Sequence, residues 1–157
     1  MVVVSHNSAE DLPACLAALT AAEGVERVVV VDNVSHDASR EIVRAVEDPR
    51  VVLIEEEINT GFAGGCNRGF AELGDDFEVL AFVNPDVEVE VECLSRCAAA
   101  LIADPDLAGV APRLMRPDGQ TVDTAGQVLK SLTLEVNDRG YGAPPTPELM
   151  QPCAVLE

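Results

Sequence analysis

This chain of 157 residues has no Trp, one Tyr and four Phe. A core so poor in aromatics must be filled by Val, Leu, Ile and Ala, the usual filling of a parallel sheet covered by helices. Basic residues are also scarce: ten Lys and Arg, with Lys130 the single lysine, face 28 Asp and Glu, for a formal charge of −18. Nucleic-acid binding draws on Lys and Arg clusters that release counterions, so a nucleic-acid partner is not expected. The many carboxylates read either as a solvated surface that keeps the protein soluble or as adaptation to high salt, where self-repulsion is screened. No apolar run approaches the roughly 18 to 20 residues that span a bilayer. The five cysteines (15, 66, 93, 97, 153) are odd in number and lack the spacing of a disulfide framework. With no signal-peptide pattern before Val2, a reducing cytoplasm is the simpler home, with peripheral work at the inner face of a membrane left open. Cys93 and Cys97, one helical turn apart, read as small buried hydrophobes.

What is present is a hydrophobic share of 48%, enough for one domain that buries roughly 70% of its unfolded surface. Met1 to Val4, Val28 to Val31, Val51 to Ile54 and Val79 to Val83 are short apolar runs that predict strands. Between them, Leu12 to Leu19, a segment around Ile42 to Val46, and Phe62 to Leu73 show helical spacing. The alternation predicts an α/β fold: an open, mostly parallel sheet with helices on both faces. Val91 to Ala103 predicts a further helix, Ala108 to Met115 a strand, and Arg116-Pro117-Asp118-Gly119 a turn. Residues 1–115 thus read as one α/β domain and 116–157 as an irregular start of something further, so that the fold looks truncated. Leu156-Glu157 reads as an added tail as readily as native sequence.

In an open parallel sheet, ligands bind beyond the carboxyl ends of the strands, where loops and helix N-termini converge. Those ends are Ser5-His6-Asn7, Asp32-Asn33, Asn59-Thr60-Gly61 and Asn84-Pro85-Asp86, each carrying short side chains with oxygen or amide groups. The glycine-rich stretch from Gly61 to Gly69 opens the third helix. It suits an anion at the helix N-terminus or close packing of helix on sheet. It matches neither the G-x-G-x-x-G fingerprint nor a P-loop. Arg68 offers a cation to a diphosphate or pairs with a surface carboxylate. Asp86, on a turn stiffened by Pro85, is either simple turn chemistry or a ligand of a hard cation, since Mg²⁺ takes one or two protein carboxylates and completes its shell with phosphates. A cation would also let so acidic a protein accept a nucleotide diphosphate.

The set VVVSHNS, VVVVDNVSHDAS, NTGFAGGCNRGF, FVNPDVEVE and GVAPRLMRPDGQ, over about residues 2 to 126, resembles the amino-terminal half of family 2 glycosyltransferases, particularly a rhamnosyltransferase-like branch. The resemblance implies a GT-A type, nucleotide-diphospho-sugar transferase fold. It also implies an inverting displacement assisted by Mg²⁺ or Mn²⁺, from a UDP- or dTDP-linked sugar to a hydroxyl of a saccharide or lipid-linked acceptor, as in cell-wall or polysaccharide biosynthesis. On matching positions it implies that Asn7 and Asp32 hold the nucleobase, with Asn33 close by. Asn59, Gly61 and Asn67 would line the nucleotide pocket. Asn84-Pro85-Asp86 matches the family's Asp-x-Asp metal motif, with Asn84 in the position of a carboxylate and Asp86 reaching the cation. Val34 stands where a small residue is expected. The acceptor half and its general base are expected outside this stretch, so the chain reads as one that binds donor and transfers little; Asp118, Asp123 and Glu135 are not nominated as the base. His6 and His36 read as loop residues.

A second class of function uses the same sheet edge without chemistry: a nucleotide-binding or assembly module, which would bind without a metal. A nucleotidyltransferase fits poorly, because SHNSAED lacks the basic glycine-rich loop that such activity needs. An exposed strand edge would leave room for pairing with a second copy.

Overall fold

The structure is a computed structural model and describes residues 1–75, 77–130 and 135–150. Two compact units divide at Asp104/Pro105, earlier than the expected boundary after residue 115.

The first unit is built on a four-stranded sheet. Strands β1 (Val2–Ser5), β2 (Val28–Asp32), β3 (Val51–Glu55) and β4 (Phe82–Val83) run in the order β3-β2-β1-β4, all neighbours parallel. Helices α1 (Leu12–Ala21), α2 (Ser39–Arg44), α3 (Gly61–Leu73) and α4 (Cys93–Ala103) connect or follow them. Because side chains alternate along a strand, β1 and β2 feed two separate cores. Val3, Val28 and Val30 pack with Leu12, Cys15, Leu16 and Leu19 of α1 and Val43 of α2. Val2, Val4, Val29 and Val31 pack on the other face with Ile54 and Cys66 of α3. The expected architecture, a parallel sheet with helices on both faces, is present. The consecutive valines reflect it, since strands covered on both faces have no polar side.

Helix α3 comes unusually close to the sheet. A Cβ at Gly65 would stand 2.6 Å from Val4 Cγ1, and one at Gly69 would collide with Val2. Close packing is therefore one purpose of the glycine-rich stretch. Gly61 serves another: with φ of 72° it opens the helix in a conformation that L side chains avoid.

Several expected stretches take a different form. The fourth strand is only Phe82–Val83, not Val79 to Val83, because its register pairs Phe82 with Val2 and places the preceding residues beyond the start of β1. The strand expected over 108 to 115 shrinks to β5 (Leu114–Met115); Gly109 and Pro112 interrupt the earlier part, and Pro brings no N–H to a ladder. The stretch expected to be irregular holds β6 (Val122–Thr124), β7 (Gln127–Lys130) and β8 (Glu135–Asp138). Strand β5 pairs antiparallel with β6, and β7 with β8. The predicted turn at 116 to 119 joins β5 to β6, with Gly119 at φ of 65° and its N–H donating to Arg116 O at 2.9 Å. Cys93 and Cys97 are half-buried rather than buried. Cys153 and residues 156 and 157 lie outside the described residues. Among the described residues no helix is long and apolar enough to cross a membrane.

Candidate functional site

In chain order the sheet grows outward from β1 through β2 to β3, then returns to place β4 on the other side of β1. The reversal opens a crevice at the carboxyl ends of β1 and β4, the place where open α/β sheets bind ligands. A cleft of about 350 Å³ lies there, lined by Val4, His6, Ser8, Asn33, Asn59, Gly61, Phe62, Asn84 and Pro85. Four expected site residues, Asn33, Asn59, Gly61 and Asn84, thus meet in one cleft. His6, read as a loop residue, and Pro85, read as stiffening the turn, join them, as do Ser8 and Phe62, to which no role was assigned. Phe62, 55% exposed at the mouth, is apolar surface that folding leaves in water.

The loops after β1 and β2 are laced together. His6 Nδ1 lies 2.7 Å from Asn33 O. A carbonyl only accepts, so Nδ1 carries the proton, and Nε2 is left to accept from Asn7 Nδ2 at 3.2 Å. Asn7, at φ of 54°, donates its N–H to Ser35 Oγ at 2.9 Å and accepts the His36 N–H at Oδ1, 2.8 Å away. Ser8 N–H donates to Ser39 Oγ, and Ala9 N–H to Asp37 Oδ2. Asn7 is therefore a crosslink between loops and is not among the cleft-lining residues.

Asp32 sits beneath this lacing, 1% exposed. Its Oδ1 accepts from Ser35 N–H at 3.0 Å and from Arg40 Nε at 2.5 Å. Burial pushes the Asp32 carboxyl up, but the hydrogen bonds from Ser35 and Arg40 outweigh it and hold the group below the ordinary carboxylate range. Its Oδ2 and the hydroxyl of Ser5, its registered neighbour on β1, are buried without a partner. Asn33 is the hinge pin of the next loop. Its Nδ2 donates to Gly61 O at 2.9 Å, and its Oδ1 accepts from the N–H and the hydroxyl of Thr60, each at 3.3 Å. Asn59 Oδ1 in turn accepts the Gly61 N–H at 2.8 Å. Side-chain amides thus fix the path by which the chain enters α3.

Asn67 does not join the cleft. At about 100° per residue it projects opposite the buried face of α3 formed by Gly65, Cys66 and Gly69. Its neighbour Arg68 pairs with Glu56 and Glu72, each at 3.3 Å. Of its two readings, the surface ion pair is the one present.

On the β4 side the turn stands in water. Asn84 and Asp86 are exposed, and Val87 N–H closes the turn on Asn84 O at 3.3 Å. Beneath it, burial first and the Asp86 carboxylate next push the Cys15 thiol up to about 11. Among the described residues no group of three His, Cys, Asp or Glu could hold a metal ion. In the second unit, Asp118 Oδ1 accepts from the N–H groups of Gln120 and Thr121, and Oδ2 from the Thr121 hydroxyl, so it serves the hairpin turn. Asp123 lies 3.9 Å from Arg116 Nε.

A parallel sheet with this order and a cleft at its switch point is the fold of known glycosyltransferases. The chain superimposes on S. aureus TarS with a TM-score of 0.58 at 23% identity, over 74% of this chain and 22% of that one. It matches TarS residues 1-349 in complex with UDP with a TM-score of 0.58 at 21% identity, over 73% of this chain and 38% of that one. The family model for glycosyl transferase family 2 matches residues 1–156, and the chain belongs to that family. It is also 44% identical over 69 residues to the succinoglycan biosynthesis protein ExoO of Rhizobium meliloti (strain 1021), which is 43% of this chain and 20% of ExoO. The chain therefore spans a minor part of the length of each of these relatives.

Proposed function

We propose that the cleft between β1 and β4 binds the nucleoside diphosphate of an activated sugar, UDP- or dTDP-linked, for transfer to a saccharide or lipid-linked hydroxyl. The observation that carries this reading is the convergence of Asn33, Asn59, Gly61 and Asn84 at the switch point of a family 2 fold. The TarS match in complex with UDP supports a nucleotide ligand of this kind. Asp32, buried and not among the cleft-lining residues, would help hold the base indirectly, by fixing the loop after β2 through Ser35 and Arg40. Asn7 helps by holding the same loop.

Asp86 and Asn84 are the residues that would hold Mg²⁺ or Mn²⁺. One exposed carboxylate and one amide oxygen do not make a resident metal cage, but they fit a cation that brings its own phosphate ligands. Such an ion would stabilise the leaving diphosphate during an inverting displacement. Asn84 in place of a carboxylate makes protein and ion partners of modest strength, so most of the affinity comes from the diphosphate.

Calorimetric titration with UDP and dTDP, each with Mn²⁺ and with chelator, at low and high salt, tests the reading. Mn²⁺-dependent binding is expected, and the tighter nucleotide identifies the base. Equal affinity in chelator would favour the non-catalytic nucleotide-binding module, and no binding of either nucleotide would remove the donor-site reading.

A further inference from the structure

The turn that presents Asn84, Pro85 and Asp86 follows a strand of only two residues, so the sheet does little to hold it. A sulfur atom lies under it. Cys15, in α1 and 1% exposed, donates its thiol hydrogen to Asn84 O at 3.7 Å. The same Asn84 O accepts the Val87 N–H at 3.3 Å, and Val87 packs against the core cluster that contains Cys15. The buried thiol therefore meets the four-residue turn at the very oxygen that closes it. Hydrogen bonds to sulfur are individually weak. Their effect here comes from the anchor, because Leu12, Leu16 and Leu19 fix α1 in the core beside Val3 and Val83.

We propose that Cys15 is a positioning residue: its thiol clasps the turn from Asn84 to Val87 and so sets where the Asp86 carboxylate stands to meet a diphosphate-bound cation. The proposal rests on the donor-site reading above. It also explains the residue type. A serine hydroxyl, on a shorter bond, would stop short of Asn84 and be left buried without a full partner. Valine would fill similar space with neither donor nor acceptor.

The test compares Cys15→Val with Cys66→Val, a buried thiol on the opposite face of the sheet, both in the full chain. Amide exchange at Val87 is followed without ligand, and UDP affinity is measured with Mn²⁺ and with chelator. In Cys15→Val, Val87 exchange should accelerate about tenfold, the loss of one anchoring contact. The gain in UDP affinity on adding Mn²⁺ should shrink by a factor of about three to ten, with affinity in chelator unchanged. Cys66→Val should move neither readout, whatever it does to Tm. Should Cys15→Val not fold, Cys15→Ala carries the same expectations. Unchanged Val87 exchange, equal effects of the two cysteine variants, or an undiminished Mn²⁺ gain would each overturn the proposal. If the unaltered protein binds UDP without any Mn²⁺ gain, the metal reading fails and takes the cation half of this proposal with it; Val87 exchange then still decides whether the clasp exists.

Discussion

Asp32 and Asn33, at the end of β2, are 1% and 2% exposed, whereas Asn84 and Asp86, after β4, stand in water. At the first place nearly every polar atom already has a protein partner: Arg40 and Ser35 on Asp32, Thr60 and Gly61 on Asn33. Such groups lost their water when the chain folded, and removing one leaves the others unpaired in a medium of low dielectric. At the second place the polar groups still hold water and can exchange it for a ligand. One side of the cleft is frame and the other is grip. Substitutions should therefore act first on stability on the β2 side and first on ligand affinity on the β4 side.

The largest effect on stability is expected from Asp32→Ala, which removes the acceptor of the Ser35 N–H and the partner of the partly exposed Arg40, at about 1.5 to 3 kcal/mol. Urea unfolding measures it, and a loss below about 1 kcal/mol would mean that this carboxylate does not hold the frame. Arg40→Met comes next. The Asp32 carboxyl is held below its ordinary value in the folded state. It therefore stabilises the fold above about pH 4, and that contribution fades as pH falls through the lowered value. Removing the guanidinium raises the folded value. The midpoint of acid unfolding should then move to higher pH, with some stability lost at neutral pH. A midpoint that stays put or falls would contradict the ion pair's role.

Asn33→Ala should be milder, at about 1 to 2 kcal/mol, because the backbone it frees at Thr60 and Gly61 can still reach water. Its signature is faster amide exchange at Thr60, and unchanged protection there would show that the loop is fixed by something else. Asp86→Ala should leave stability within about 0.5 kcal/mol while abolishing the gain in UDP affinity from Mn²⁺. A stability loss comparable to that of Asn33→Ala would erase the contrast between frame and grip.

Much of this was legible in the residues. Runs such as Val28 to Val31 announce strands buried on both faces, and the oxygen-rich ends of those runs mark the edge where the cleft forms. The residues could not show how far β4 is paired, because that depends on register against β1 and not on the apolar run itself. Nor did they separate crosslinks from cleft lining. Asn7, Asn33 and Asn59 have the same chemistry on paper; only the loops' path makes Asn7 a strut, Asn33 a pin and Asn59 part of the wall. Asn67 was misleading for a plainer reason, since a helix turns it away from residues close to it in sequence. The hairpins after residue 113 were missed because strands of two to four residues give too short an alternation to read.

Val34, between Asn33 and Ser35, has a φ of 64°. For a β-branched side chain that is a strained conformation, with a cost of about 1 to 3 kcal/mol. The lacing on either side of it, from His6 to Asn33 and from Asn7 to Ser35, clamps the backbone there against that tendency. For anyone engineering the protein, this position is a spring already wound: Val34→Gly would let it down, and what remains of the released energy after the added freedom of the unfolded chain would appear as heat tolerance.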